Sequence, residues 1–111
     1  MTNLINAETG ETILSELELA RSFWQRFVGL MFRKSLPVGC GIWIVPCKSI
    51  HTMWMRMSID VHFLDGNNSV IGVRKNVRPW RDMLAPANTT SVLEIQSSTI
   101  EIPVNTRVET V

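Results

Sequence analysis

The sequence has little of what usually assigns a protein quickly. No apolar run approaches the ~20 residues that a membrane-crossing helix needs, so no span is expected. Residues 1–10 lack both a basic start and an apolar stretch, so no secretory leader is expected either. Two cysteines, Cys40 and Cys47, are a thin basis for a disulfide framework, though one short loop between them is open. Free thiols and a cytoplasmic location are the default expectation. There is no internal repeat, no glycine-rich phosphate loop and no pair of carboxylates spaced for acid–base work. Asn88-Thr89-Thr90 spells a glycosylation signal, which carries little meaning without a leader. A formal net charge of +1 supplies no global field toward nucleic acid or membranes.

What is present fits one ordinary globular domain, residues 1–111. A chain this long buries roughly 65% of its unfolded surface, enough for a core without staples. Apolar residues make up 45% and charged ones 19%, which argues against disorder. The charges do separate locally: Glu8, Glu11, Glu16 and Glu18 precede Arg21, Arg26, Arg33 and Lys34. A solvated helix face explains that basic run more simply than a binding patch does.

Periodicity then sets the fold class. Short apolar and acidic alternations over residues 11–20 read as a strand. Ser22 and Gln25 have capping-box spacing, and Phe23, Phe27, Leu30 and Met31 recur at helical spacing. A helix is therefore predicted over residues 22–33, with Arg26 and Arg33 outward. Lys34 suits its C-terminus and Pro37 forbids its continuation. Gly29 within it would permit close backbone packing. Beyond residue 37 the period changes to two. Residues 42–45 read as a strand buried on both faces, and residues 61–64 as a further strand. Asp65-Gly66-Asn67-Asn68 reads as a hairpin turn. Strands are predicted at 69–73, 92–95 and 107–111, with an irregular loop at 78–90. The expected architecture is mainly β: a compact sandwich or small, partly open barrel of short, mostly antiparallel strands with one helix.

Several motifs together resemble a known family. Arg26-x-x-Gly29-Leu30-Met31-x-Arg33 is followed by Pro46-Cys47-x-Ser49-Ile50-His51-Thr52-x-x-Met55-Arg56 and Ile59-Asp60-Val61-x-Phe63-Leu64-Asp65. Pro79-Trp80-Arg81 and Val92-Leu93-Glu94-Ile95 complete the pattern. Over roughly residues 17–109 the chain resembles the bacterial and archaeal family catalogued as domain of unknown function 192. That resemblance implies a mostly β fold with a short helix, and no activity, cofactor or partner. Two departures stand out. Ser97-Ser98 and Asn105-Thr106 occupy places where the family has a small residue with glycine and a Gly-Asp turn. Met53 and Met57 replace aromatic or other bulky apolar residues, which favours packing for both.

Three chemistries are open. Were residues 47–57 a strand, Cys47, Ser49 and His51 would share a face with Met53, Met55 and Met57, a donor set that suits Cu(I) or zinc. Residues four apart on a strand lie roughly 13 Å apart, so Cys47 and His51 would need a bend, with Cys40 as a third ligand. Methionine on such a face is usually core. A thiol enzyme would use Cys40 or Cys47 with His51 oriented by Asp60, but lone cysteines are mostly buried and inert. The third is binding. Arg56, Arg78 and Arg81 surround Trp80, and arginine forks with an indole suit an anionic or sugar-like ligand. Burial of Trp80 as a plug, with Arg56 or Arg81 paired to Asp60 or Asp82, is the bland alternative.

The sequence therefore favours a small-ligand or partner-binding domain without catalysis, cofactor or resident metal. Its candidate ligand residues are His51, Arg56, Asp60, Arg78, Trp80 and Arg81. Nucleic acid and membranes are not expected as partners, and the oligomeric state is not fixed. A metal-binding protein or Cys/His enzyme built on residues 47–60 is the alternative.

Overall fold

The computed structural model describes residues 2–111. Nine strands and one helix follow the order β1 (Thr2–Asn6), β2 (Thr12–Ala20), α1 (Phe23–Val28), β3 (Cys40–Ile44), β4 (Ser49–His51), β5 (Ile59–Leu64), β6 (Val70–Val77), β7 (Asp82–Leu84), β8 (Ser91–Gln96) and β9 (Val108–Thr110). Seven strands form one sheet in the order β6-β5-β8-β3-β2-β1-β9, and β4 pairs with β7. All pairings are antiparallel except β2 with β3, so the main sheet is mixed.

The sheet's two edges meet at one end. Ser69 bridges Arg107, the Val70 N–H donates to the Thr106 carbonyl at 2.9 Å, and the Asn105 N–H donates back to Val70 at 2.8 Å. The rest of β6 does not pair with β9, so the result is a partly open barrel. Leu4, Leu14, Leu17, Trp43, Leu64, Val70, Leu93, Ile95 and Val108, drawn from all seven strands, fill its interior. On the outer face, Ile42, Ile44, Ile59, Val61, Phe63 and Val92 form a second core with Leu30, Leu36, Ile50, Met55 and Met57. This is why residues 42–44 of β3 read as an unbroken apolar run: alternate residues serve two different cores. The buried Trp43 indole donates to Ser91 Oγ at 2.9 Å, which satisfies its one polar atom.

The hairpin turn forms as its residues suggest. Asp65 Oδ1 accepts from the N–H groups of Asn67 and Ser69, and Asn68 takes the positive φ. Other expectations need correction. The helix covers only residues 23–28. Its capping box forms as read, Ser22 accepting from the Gln25 N–H and Gln25 reaching back. None of its residues is buried, however; Phe23 and Trp24 are 72% and 67% exposed. Gly29 is its C-cap at φ 47°. A Cβ there would meet only ordinary contacts, at 3.8 Å or more, so backbone conformation rather than crowding favours glycine. Arg33 pairs with Glu18 of β2, while Arg26 turns inward to donate to the Pro46 carbonyl. β1 had no counterpart in the sequence reading, and the loop at 78–90 contains β7.

Candidate functional site

The strand reading of residues 47–57 holds only as far as His51. After β4 the chain turns, with Trp54 at φ 63°. Alternation across that segment therefore fails, and the residues it would have gathered disperse. Met55 and Met57 enter the outer core. Cys40, at the head of β3, bonds through its thiol to Glu16 at 3.2 Å. Cys47 and His51 do line one small cavity, about 30 Å³ and large enough for a water molecule, beneath the end of α1. Both cysteines are free. No three His, Cys, Asp or Glu side chains among the described residues converge as metal ligands would.

That cavity has polar walls. His51 receives the Met53 N–H on Nδ1 at 3.2 Å, so its proton sits on Nε2 and donates to the Phe27 carbonyl at 2.8 Å. Both ring nitrogens are occupied, and the imidazole ties β4 to α1. Cys47 donates to the Ser49 carbonyl, and burial pushes its thiol pKa up. Glu94 of β8 is fully buried, and its Oε1 has no partner among the described residues. Burial raises its pKa to about 8, so the side chain is a neutral acid at pH 7. A glutamate inside Val92-Leu93-Glu94-Ile95, a run otherwise apolar, was the visible signal for it.

The expected ligand residues divide. Asp60 is buried and accepts from the backbone N–H groups of Asn76 and Ser98, holding β5 to neighbouring chain rather than facing solvent. Arg56, Arg78, Trp80 and Arg81 are all exposed. Trp80 is 52% exposed and packs edge-on against Trp54, itself 53% exposed, with ring centroids 4.8 Å apart. It is not a core plug. No ion pair joins Arg56 or Arg81 to Asp60 or Asp82 among the described residues. The loop that carries Trp80 is clamped by the buried Thr52. Its hydroxyl donates to the Arg78 carbonyl at 2.7 Å and accepts the Arg81 N–H at 2.8 Å, while its own carbonyl takes the Trp80 N–H.

The surface around this loop is wider than the sequence suggested. Phe32 packs against Trp54 at 6.0 Å and donates its N–H to the Trp54 carbonyl. Phe23 and Trp24 stack on Phe27, whose ring meets His51 at 5.4 Å. Six of the chain's eight Phe and Trp residues are thus exposed, in two clusters, Phe23-Trp24-Phe27 and Phe32-Trp54-Trp80, that are both tied to the segment from His51 to Trp54. The segments that carry them also hold most of the positive charge. Arg21, Arg26, Arg33 and Lys34 lie in residues 21–34, Lys48 and Arg56 in 47–58, and Arg78 and Arg81 in 78–84. Asp82 is the only acid in the three.

The chain is similar to archaeal proteins by sequence and to a solved bacterial structure by fold. A UPF0127 protein of Pyrococcus furiosus is 37% identical over 83 residues, covering 70% of this chain and 69% of its own. One from Pyrococcus horikoshii is 34% identical, covering 82% of this chain and 81% of its own. A crystal structure of a protein of unknown function from Novosphingobium aromaticivorans superposes with a TM-score of 0.82 at 23% identity. It covers 97% of this chain and 82% of that one. The model of the DUF192 family, described as uncharacterized ACR, matches residues 4–109, and the chain belongs to that family.

Proposed function

We propose that this domain is a binding module without catalysis of its own. It holds an anionic or sugar-like group of its ligand or partner against Trp80, with Arg56, Arg78 and Arg81 beside it. The observation that carries this reading is the clamped, half-exposed Trp80 between two arginines. A large aromatic left in water on a preordered loop has no stability role to match its cost, and binding gains from the order. Thiol chemistry is less well supported. To act as a base His51 would have to release the Met53 N–H from Nδ1, the nitrogen that carries its lone pair, and burial disfavours the Cys47 thiolate.

Tryptophan fluorescence titrations with pyrophosphate, a sulfated oligosaccharide and its uncharged counterpart test the reading. A saturable response to an anionic probe is expected, weakened by salt and lost in Trp80→Ala and Arg81→Ala. A response that survives both substitutions would move the site elsewhere.

A further inference from the structure

We infer that the aromatic and basic face docks on an anionic lipid surface. The inference rests on the reading that this face is the binding face, and it names the partner.

Three observations carry it. The face is apolar in a way that solvent does not favour, because Phe23, Trp24, Phe27 and Phe32 are each about half exposed or more and no residue of α1 is fully buried. Phenylalanine offers a partner no hydrogen bond, so these rings suit hydrocarbon more than polar atoms. Tryptophan beside them suits the headgroup boundary.

The second observation is charge. The three segments that build the face hold eight of the chain's 11 Lys and Arg residues and one of its 10 Asp and Glu residues. Their formal charge is +7, while the whole chain's is +1. Arg33 is paired with Glu18 of β2 and Arg26 turns inward to Pro46, which leaves Arg21, Lys34, Lys48, Arg56, Arg78 and Arg81 exposed. Net charge, the ground for expecting no membrane partner, conceals this segregation. Basic groups flanking apolar ones match an anionic bilayer, each Lys or Arg near the surface contributing about 1 kcal/mol.

The third is the use of the ring faces. Phe23 and Trp24 stack on Phe27, and Trp54 meets Trp80 edge to face. Single-stranded nucleic acid needs a series of ring faces along a groove, whereas here the rings are tilted or edge-on to one another except where Phe23 and Trp24 stack on Phe27. Clefts of about 240 and 530 Å³ border the face, one beside Trp24 and Arg33 and the other beside His51 and Asp82, and neither is lined by Phe23, Phe32 or Trp80. A projecting apolar cap enters a bilayer without needing a cleft. No helix among the described residues is long and apolar enough to cross a membrane, so the docking is peripheral.

Vesicle flotation tests this with the intact protein, using phosphatidylcholine alone and phosphatidylcholine mixed with phosphatidylglycerol at low salt. Binding to the mixed vesicles only is expected, with a blue shift in tryptophan emission. Arg78→Glu and Arg81→Glu should each weaken binding about fivefold or more. Phe23→Ser with Trp24→Ser should abolish retention of the blue-shifted complex, and Arg74→Glu, outside the three segments, should bind as the parent does. Binding that ignores the aromatic substitutions would be mere adsorption and would overturn the inference. Absence of vesicle binding, with the Trp80-dependent response to soluble anions retained, would overturn the lipid partner and leave the binding module standing. Preferential binding of a labelled oligothymidylate would replace lipid by single-stranded nucleic acid.

Discussion

Thr52 and Arg81 are joined by two reciprocal hydrogen bonds: the Thr52 N–H donates to the Arg81 carbonyl at 2.7 Å, and the Arg81 N–H donates to Thr52 Oγ1 at 2.8 Å. Together with the β4–β7 pairing and the Trp80–Trp54 contact they fix the loop. Thr52→Val keeps the shape and removes the hydroxyl, leaving the Arg81 N–H and the Arg78 carbonyl short of a partner. A loss of about 1 to 3 kcal/mol is expected by urea denaturation. Faster proteolysis within residues 78–84 should accompany it. An unchanged midpoint would mean that the loop is held by something else.

Trp80→Ala should cost little by comparison. Half of the residue faces water, and what it loses is mainly the edge-on contact with Trp54, worth about 0.5 to 1.5 kcal/mol. Phe63→Ala, which empties a site in the outer core, should cost about 3 to 5 kcal/mol. Denaturation of the two variants side by side gives the comparison. Similar losses in both would show that Trp80 serves stability after all.

The same contrast shows which parts of the fold were legible. Ser22 and Gln25 announced a helix start because capping is local chemistry, and residues 92–95 announced a strand because burial leaves a run of apolar side chains. The fate of the helix's apolar side was not legible. Phe23, Trp24 and Phe27 have the spacing of a core-facing stripe, and nothing in the spacing says that no element covers them. The bonds of Asp60 were not legible either, because they come from two backbone N–H groups, Asn76 and Ser98, of distant chain. The parallel pairing of β2 with β3 was hidden for the same reason, since it depends on the crossover through α1.

Ser98 stands where the family resemblance leads to an expectation of glycine, and its backbone conformation is one that glycine adopts without strain. Its φ is 64°, a conformation that costs residues with a Cβ more than it costs glycine. Ser98→Gly should therefore raise stability by up to about 1 kcal/mol, the strain relieved exceeding the extra freedom of the unfolded chain. The hydrogen bond from its N–H to Asp60 is kept. Thermal denaturation reads the change, and a fall in Tm would place the strain elsewhere.

Glu94 gives the clearest pH signature. In the unfolded chain its carboxyl ionises near 4.5, whereas burial in the folded protein keeps it protonated to about pH 8. Between those values the unfolded state has released a proton that the folded state retains. Its contribution is whole below pH 4.5 and is lost as pH rises toward 8, at about 1.4 kcal/mol per unit. His62 acts in the opposite sense. Burial lowers its pKa, so folding is penalised as pH falls below 6.5 and the unfolded imidazole takes up a proton. Comparing the parent with Glu94→Gln cancels the His62 contribution, because both proteins carry it. The parent should lose about 3 to 4 kcal/mol relative to the variant between pH 5 and 8, measured by urea denaturation at each pH. A constant difference would mean that Glu94 is ionised in the folded protein, with a compensating charge inside the cavity that Arg26 and Cys47 line.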